Sequence, residues 1–233
     1  MKNLPLIFFG IFSALAFSWL SIVFASHHML EDLQPTSSQL LNPVTTDPIV
    51  GPYYFTEESE LKRAGVSDFK EQQYPPVYLG LANEGERVYQ ELGCYSCHTQ
   101  SVRDASTADA LQGFGKRHSV ARDYIRRDQV MLGTIRIGQD LANIGVRQSD
   151  AAWHHINLFQ STYHNPESMM PAFPFLYTKQ LIEGDEASEG AIRLPAPDEV
   201  YEIVPSRRAE ALVAYMLSLK QDYALPEVEL PEE

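Results

Sequence analysis

The segment Cys94-Tyr95-Ser96-Cys97-His98 contains the only two cysteines among the 233 residues of the chain. Two thiols separated by two residues, with a histidine directly after the second, form the pattern of covalent haem attachment. Thiols about one helical turn apart reach the two vinyl groups on neighbouring edges of a porphyrin, and the next residue directs its imidazole to the iron. The pattern therefore predicts one haem c, bound through Cys94 and Cys97, with His98 as an axial iron ligand.

Two other kinds of site share this cysteine spacing. A structural zinc site needs four ligands, and only His154, His155 and His164 could complete one, at spacings unlike those of zinc motifs. A thioredoxin-like pair follows a strand and precedes a helix, whereas here a helical pattern comes before the cysteines and a turn after them. A zinc-stabilised exported binding domain is the non-redox alternative to haem attachment.

A haem iron has a second axial face, and a methionine thioether there suits electron transfer. Met169 and Met170 lie in a loop bounded by prolines, which can present a sulfur rigidly. Met131 and Met216 lie in apolar stretches typical of core residues. One methionine of the pair is therefore the expected ligand, and a ligand from among the other histidines is the alternative.

The uncharged segment 4–25, LPLIFFGIFSALAFSWLSIVFA, is long enough for a helix that crosses about 30 Å of hydrocarbon. Lys2 precedes it and acidic residues follow it, so the positive-inside rule places residues 1–3 in the cytoplasm and the rest of the chain outside. A cleaved signal peptide ending at Ala25 is the alternative, but its apolar core usually has only about 7–15 residues. We therefore expect a retained single membrane anchor.

The remaining chain divides by composition. Residues 26–80 are rich in proline, serine and threonine and predict an extended arm. A domain is expected over 81–221, with an acidic surface insertion at 183–199, and 222–233 should form a loose acidic tail.

The charge balance is acidic, with 31 Asp and Glu against 18 Lys and Arg, giving a net charge of -13. Nucleic-acid binding requires clustered basic residues, so nucleic acid is excluded as a partner. An acidic surface suits either solubility or docking to a basic protein.

Two helices should frame the motif. The segment NEGERVYQELGC has helical periodicity, with Asn83 as the expected N-cap and Gly93 as its end. The segment PSRRAEALVAYMLSLKQ is an amphipathic helix that Ser206 can cap.

The order of helix, Cys-x-x-Cys-His, methionine loop and amphipathic helix resembles a class I cytochrome c. Gly85 and Tyr89 match the small and aromatic positions of the first helix in that family, and Tyr215 matches the aromatic position of the last. In the family these two helices cross. The resemblance implies an all-α fold, here a class I cytochrome c domain with a single N-terminal transmembrane helix.

Three stretches resemble a narrower group: GERVYQELGCYSCHTQSVR, GQDLANIGVRQSDAAWHHINLF and NPESMMPAFPFL. The group is the membrane-anchored mono-haem cytochrome c subunit, subunit II, of cbb3-type cytochrome c oxidases. Gln100 and Arg103 stand where the group has a glutamine and an arginine. Its Ser-x-Met-Pro pattern places the axial ligand at Met170, with Met169 as the fallback.

The chain departs from the family pattern at two informative places. Gln139 stands where the family has a proline whose carbonyl accepts a hydrogen bond from the axial imidazole. A backbone carbonyl is retained there, so the same bond is available to His98. Phe175 stands where a tryptophan is usual.

The resemblance implies one-electron transfer in aerobic respiration at the bacterial inner membrane. Electrons would come from a second cytochrome c subunit or a soluble cytochrome c and pass to an integral haem–copper oxidase subunit. One haem with two protein ligands offers no open position, so the chain is expected to be a component of the enzyme and not its catalyst. An independent membrane-tethered electron shuttle is the alternative.

Overall fold

The computed structural model describes residues 3–31, 33–34, 36–37, 73–74, 80–104, 112–182, 187–228 and 230. Most of the predicted arm lies outside these residues, as do the first residues of the predicted acidic insertion and the end of the predicted tail. Within the arm, two short strands pair antiparallel, β1 (Thr36–Ser37) and β2 (Gln73–Tyr74).

The N-terminal segment forms one long helix, α1, over Leu4–Glu31, with a π-helical turn at Leu20–Phe24. It extends beyond the predicted 4–25 span, and its 28 residues cover about 42 Å at ~1.5 Å per residue. Its large apolar side chains are exposed, for example Leu6 at 77% and Phe9 at 73%. An apolar helix of this length with an uncovered surface suits a bilayer and suggests membrane anchoring.

The domain that follows combines short helices with single helical turns. The helices are α2 (Gly80–Glu91), α3 (Ile144–Arg147), α4 (Ala151–Phe159) and α5 (Arg207–Ser218). Turns of 3-10 helix occupy Cys94–Ser96, Ala121–Tyr124, Ser161–Tyr163 and Pro174–Leu176. Helices α2, α3 and α4 all pack on α5, which is buried along most of its length.

The contact between α2 and α5 depends on a glycine. A Cβ atom at Gly85 would lie 1.9 Å from the carbonyl oxygen of Ala211 and 2.8 Å from the Cβ of Tyr215. One turn further along α2, the ring of Tyr89 packs on that of Tyr215, with centroids 5.4 Å apart. Gly145 plays the same part for α3, because a Cβ there would lie 2.2 Å from the carbonyl oxygen of Leu217.

Of the three residues predicted to begin or end a helix, Gly93 and Ser206 are confirmed and Asn83 is not. Helix α2 begins at Gly80, so the prediction that Asn83 caps it is wrong. The helix starts earlier because Ala82 is fully buried and extends the apolar face towards the N-terminus. Gly93 is left-handed, with φ of 71°, and ends the helical stretch as predicted. The Ser206 hydroxyl accepts the N–H of Ala209 at 3.3 Å, which confirms the cap of α5.

The expected all-α fold is not confirmed, because the domain also contains a three-stranded antiparallel sheet. Its order is β3 (Tyr177–Leu181), β5 (Tyr201–Pro205), β4 (Ile192–Arg193). Strands β3 and β5 are runs of five residues containing β-branched and aromatic side chains, which favour strands, and Pro205 ends β5. The helical core therefore carries a small sheet after the methionine loop.

The predicted acidic insertion supplies β4 and packs on the domain. Leu194 is 1% exposed. The fully buried carboxylate of Glu202 in β5 accepts hydrogen bonds from Gln180 Nε2 at 2.7 Å and from Ser188 N at 2.8 Å. A carboxylate held by three donors, the Ser188 hydroxyl included, joins the described part of this segment to the sheet.

The acidic tail is not loose where the structure describes it. Tyr223 is 2% exposed and Leu225 is 4% exposed. The tail is held by Arg117, whose Nε donates to the Tyr223 carbonyl at 2.7 Å while its two Nη atoms bind Asp123 at 2.8 and 2.9 Å. This buried ion pair needs the tail to complete its hydrogen bonds, so the prediction of a loose tail is wrong for these residues.

Replacing Gly85 by alanine should destabilise the domain. Alanine favours a helix over glycine by about 1 kcal/mol, but the added Cβ would collide with the backbone of α5. Overpacking of this kind costs about 1–3 kcal/mol or more. We expect a lower midpoint in denaturant unfolding of the detergent-solubilised chain. A rise in stability would show that the two helices do not touch at Gly85.

Candidate haem-binding site

The two cysteines lie immediately after α2, on one tight turn. Gly93 redirects the chain, and the turn Cys94–Ser96 closes with a hydrogen bond from His98 N to the Cys94 carbonyl at 3.0 Å. Both thiols are free and half-buried. Burial raises the pKa of Cys94 to about 11, so its thiol stays protonated at neutral pH.

The imidazole of His98 is fixed by a backbone carbonyl from another loop. Its Nδ1–H donates to the carbonyl oxygen of Gln139 at 2.8 Å. Because a carbonyl can only accept, the lone pair of the neutral ring is on Nε2. Burial lowers the pKa of His98, and the bond to Gln139 opposes that effect only in part. The ring is therefore neutral and in one tautomer, as a metal ligand must be.

Two glycines let the chain close around this histidine. A Cβ at Gly138 would lie 2.4 Å from His98 Cε1 and 2.5 Å from His98 Nδ1. A Cβ at Gly133 would lie 2.9 Å from Thr99 N. Between them, Ile135 N donates to the Ser96 carbonyl at 2.9 Å, so the loop 130–138 runs alongside the cysteine turn.

The two candidate methionines have different surroundings. Met169 is 81% exposed, whereas Met170 is half-buried and packs against the hydrophobic core. The Met170 sulfur accepts a long contact from Asn157 Nδ2 at 3.6 Å, and its carbonyl accepts from the Ser161 hydroxyl at 3.1 Å. The structure therefore directs only Met170 inward.

The histidines named as alternative ligands have other partners. His154 Nε2 lies 2.8 Å from the Gln148 carbonyl, and His155 Nδ1 lies 3.1 Å from the Tyr177 hydroxyl. Burial lowers the pKa of His155 to about 4. His164 stacks on Trp153 and is exposed. Among the described residues, no group of three or more His, Cys, Asp or Glu side chains could hold a metal ion, so the zinc alternative has no ligand set there.

The other positions named from the resemblance have different environments. Gln100 is 2% exposed, and its side-chain oxygen accepts the Tyr215 hydroxyl at 3.0 Å, which ties the motif to α5. Arg103 is exposed. Phe175 is 68% exposed and packs on Phe173.

Sequence reasoning missed the residues that hold the loop facing His98. The Asp140 carboxylate accepts Ser101 N at 2.9 Å and Ala142 N at 2.7 Å. Arg147 donates to Gln139 Oε1 at 3.2 Å and to the Asp140 carbonyl. An aspartate whose carboxylate accepts the N–H two residues later forms a common local turn, so the role of Asp140 could have been suspected from the sequence. No local pattern indicates that the side chain of Arg147 reaches Gln139 and Asp140.

The residues present fit a haem. Gly138 leaves the space that the imidazole of His98 fills, the imidazole is neutral with a fixed tautomer, and a thioether points inward from a rigid loop. Such a set, on crossing helices and next to two unpaired thiols, defines a mono-haem cytochrome c.

The family comparison narrows this class. The model described as cytochrome c oxidase, mono-heme subunit/FixO matches residues 67–193, more than half of the chain. The chain belongs to this family, which is that of subunit II of cbb3-type oxidases. Among curated proteins, none matches the chain closely enough to refine the assignment.

Replacing Gly138 by alanine should displace the imidazole. The new Cβ would overlap the ring of His98, and the ring cannot move without losing the Gln139 carbonyl. We expect a weakened or altered haem spectrum in the purified chain. Gly10→Ala is the matched control, since a Cβ there meets nothing within 4 Å. An unchanged spectrum in Gly138→Ala would contradict the placement of His98 as ligand.

Proposed function

We propose that this chain relays single electrons to the haem–copper catalytic subunit of a cbb3-type oxidase. It carries one haem c, attached through Cys94 and Cys97 and ligated by His98 and Met170. The hydrogen bond of 2.8 Å from His98 Nδ1 to the Gln139 carbonyl is the observation that supports this most directly, since it prepares Nε2 for iron.

The haem supplies a one-electron iron couple, and the chain supplies its surroundings. Histidine and methionine ligation together raise the reduction potential and suit electron transfer. Asn157 on α4 contacts the sulfur of Met170, and Ser161 in the turn after α4 donates to the Met170 carbonyl. With His98 and Met170 both holding the iron, no position would be left for oxygen, so the role of this subunit would be transfer and oxygen reduction would belong to the partner subunit.

The placement of the domain follows from α1. We propose that α1 spans the bacterial inner membrane with residues 1–3 in the cytoplasm, so the haem domain lies in the periplasm. In this proposal the arm over 26–80 connects the anchor to the cytochrome c domain over 81–221, so the domain stays tethered to the membrane. A second cytochrome c subunit or a soluble cytochrome c then serves as the electron donor there.

An apolar surface beside the cysteine turn suits contact with the oxidase. Val130, Leu132, Ile135 and Ile137 are exposed at 39%, 54%, 62% and 60% on the loop that hydrogen-bonds to the motif. Clustered exposed aliphatic side chains mark interaction surfaces. We propose that this loop faces the integral oxidase subunit, which a free electron shuttle would not require.

Met170→Ala should lower the reduction potential and open the iron to exogenous ligands, because the thioether stabilises the ferrous state. Met169→Ala is the matched control, since that side chain is 81% exposed. Redox titration and ligand binding followed by absorbance measure both effects. Equal changes in the two variants would contradict the assignment. Loss of the chromophore on denaturation of the wild-type chain would contradict covalent attachment.

Ile135→Glu should reduce co-purification with the multi-span oxidase subunit by about tenfold, because it places a charge in a desolvated contact. Val200→Glu is the control: it makes the same change at a side chain 61% exposed outside the loop. The haem spectrum of each variant is recorded first, because loss of the haem in Ile135→Glu would place this side chain against the haem and contradict the proposed contact with the oxidase. If the wild-type chain never co-purifies with the oxidase subunit, the independent shuttle is the better hypothesis.

A further inference from the structure

Three segments far apart in the sequence meet at the side chain of Arg122, which lies in the 3-10 turn Ala121–Tyr124. Its Nε donates to Glu227 Oε1 in the C-terminal tail at 2.7 Å. Its Nη1 donates to the backbone carbonyl of Gln34, three residues beyond the end of α1 at Glu31. One guanidinium therefore connects the cytochrome c domain, its tail and the exit of the N-terminal helix.

The ion pair between Arg122 and Glu227 is partly shielded from water. The side chain of Arg122 is 15% exposed and that of Glu227 is 34% exposed, and Nη2 lies 2.5 Å from Oε1. Fully exposed ion pairs contribute little because water and salt screen them, whereas shielded, hydrogen-bonded pairs are stronger. The hydrogen bond from Arg122 also lowers the pKa of Glu227, so this carboxylate stays charged at neutral pH.

The tail presents Glu227 from a fixed position. Before it, the carbonyl of Tyr223 accepts Arg117 Nε at 2.7 Å. Around it, Leu225 and Val228 exchange backbone hydrogen bonds of 3.3 and 3.1 Å, which close the turn that carries Glu227. The carboxylate that holds Arg122 is therefore itself held by the domain.

The path from α1 to the domain is short because the two ends of the arm are paired. Strand β1 pairs with β2, so residues 38–72 add nothing to the distance between the helix and the domain. Only 32–35 and 75–79 then separate α1, the strand pair and α2. Pieces of that length span about 20 Å even when flexible, against about 40 Å for a flexible chain over 32–79. The pairing therefore keeps the domain within reach of the end of α1.

The length of α1 determines the height of this contact. Its 28 residues cover about 42 Å, and a bilayer with its headgroup layers is about 40–45 Å thick. A spanning α1 therefore ends at the headgroups, and Gln34 follows at the membrane surface. Because Arg122 binds the carbonyl of Gln34, the turn that carries Arg122 is the end of the domain that faces the membrane.

We propose that Arg122 docks the cytochrome c domain on its own membrane helix, so that the domain keeps one orientation at the bilayer surface and does not swing on its arm. The inference rests on the proposed spanning of the membrane by α1, and it deepens the proposed function. A docked domain offers its haem to the oxidase subunit from a fixed position, whereas an independent shuttle needs a domain that moves.

Distances between two spin labels test this docking in the detergent-solubilised, full-length holoprotein. The labels are attached at Met29→Cys in α1 and Val200→Cys in the domain, whose native side chains are 74% and 61% exposed. Haem attachment occupies Cys94 and Cys97, so only the introduced thiols react. Double electron–electron resonance should give one narrow distance distribution. In Arg122→Ala it should broaden to about 20 Å, the span of the freed linker pieces.

Two further variants make the comparison specific. Glu227→Gln removes the charge that holds Arg122 but keeps the shape of the side chain, so it should broaden the distribution less than Arg122→Ala does. Arg208→Ala is the matched control and should leave the distribution narrow. It removes an exposed arginine whose salt bridge with Glu91, at 2.8 Å, lies on the surface of α5 and α2.

A second pair of labels, at Asp128→Cys and Val200→Cys, lies wholly within the domain. Its distribution should stay narrow in every variant. If it broadens in Arg122→Ala, Arg122 stabilises the domain itself and the docking inference is wrong. The inference also fails if the Met29–Val200 distribution is already broad in the wild-type background, or if it stays narrow in Arg122→Ala.

The proposed function fails in a different way. Alkaline carbonate that extracts the chain from native membranes would contradict the anchor, and with it the position of the domain at the bilayer surface. A broad distance distribution in a chain that resists carbonate would overturn only the docking by Arg122. Electron transfer to the oxidase subunit is measured separately, by oxygen consumption of the intact complex, and decides the proposed relay.

Discussion

The close contact of α2 and α5 at Gly85 is the constraint on which the rest of the domain depends. A Cβ there would lie 1.9 Å from a backbone oxygen, so the two helices meet backbone to backbone. Helix α2 ends at the cysteine turn, and α5 supplies the Tyr215 hydroxyl that binds Gln100 two residues after His98. The crossing therefore determines where the motif lies relative to every loop that faces it.

The loops then converge on one imidazole from several directions. Gly138 leaves room for the ring of His98, Gln139 accepts its N–H, and Arg147 holds Gln139. The two contacts with His98 join segments about 40 residues apart, whereas Arg147 and Gln139 are only 8 residues apart. A neutral ring in a fixed tautomer is the combined result, and it is what iron ligation and a tuned potential require.

Sequence reasoning succeeded where the physical cause is local. Gly93 ends a helix because its φ is positive, and Ser206 caps α5 through a backbone N–H three residues away. It failed where packing decides. Asn83 is not a cap because buried Ala82 extends α2. The all-α expectation overlooked β5, whose pairing with β3 joins residues 20 to 28 positions apart. The tail was expected to be loose because its acidic residues are visible in the sequence. The buried Arg117–Asp123 ion pair that holds the tail cannot be recognised from the sequence.

The sequence by itself determined the haem motif, the apolar N-terminal helix and the family, since each rests on residue types at short spacing or on a continuous run. It narrowed the second ligand to Met169 and Met170 by their proline-bounded loop, and the resemblance preferred Met170. The resemblance also pointed to the Gln139 carbonyl as a partner of His98. Only the tertiary structure decided which sulfur points inward, that the Gln139 carbonyl does accept the His98 N–H, and that Arg147 holds Gln139. The reason is physical: burial and hydrogen bonding between segments far apart in the chain depend on how helices pack, and no local pattern encodes that packing.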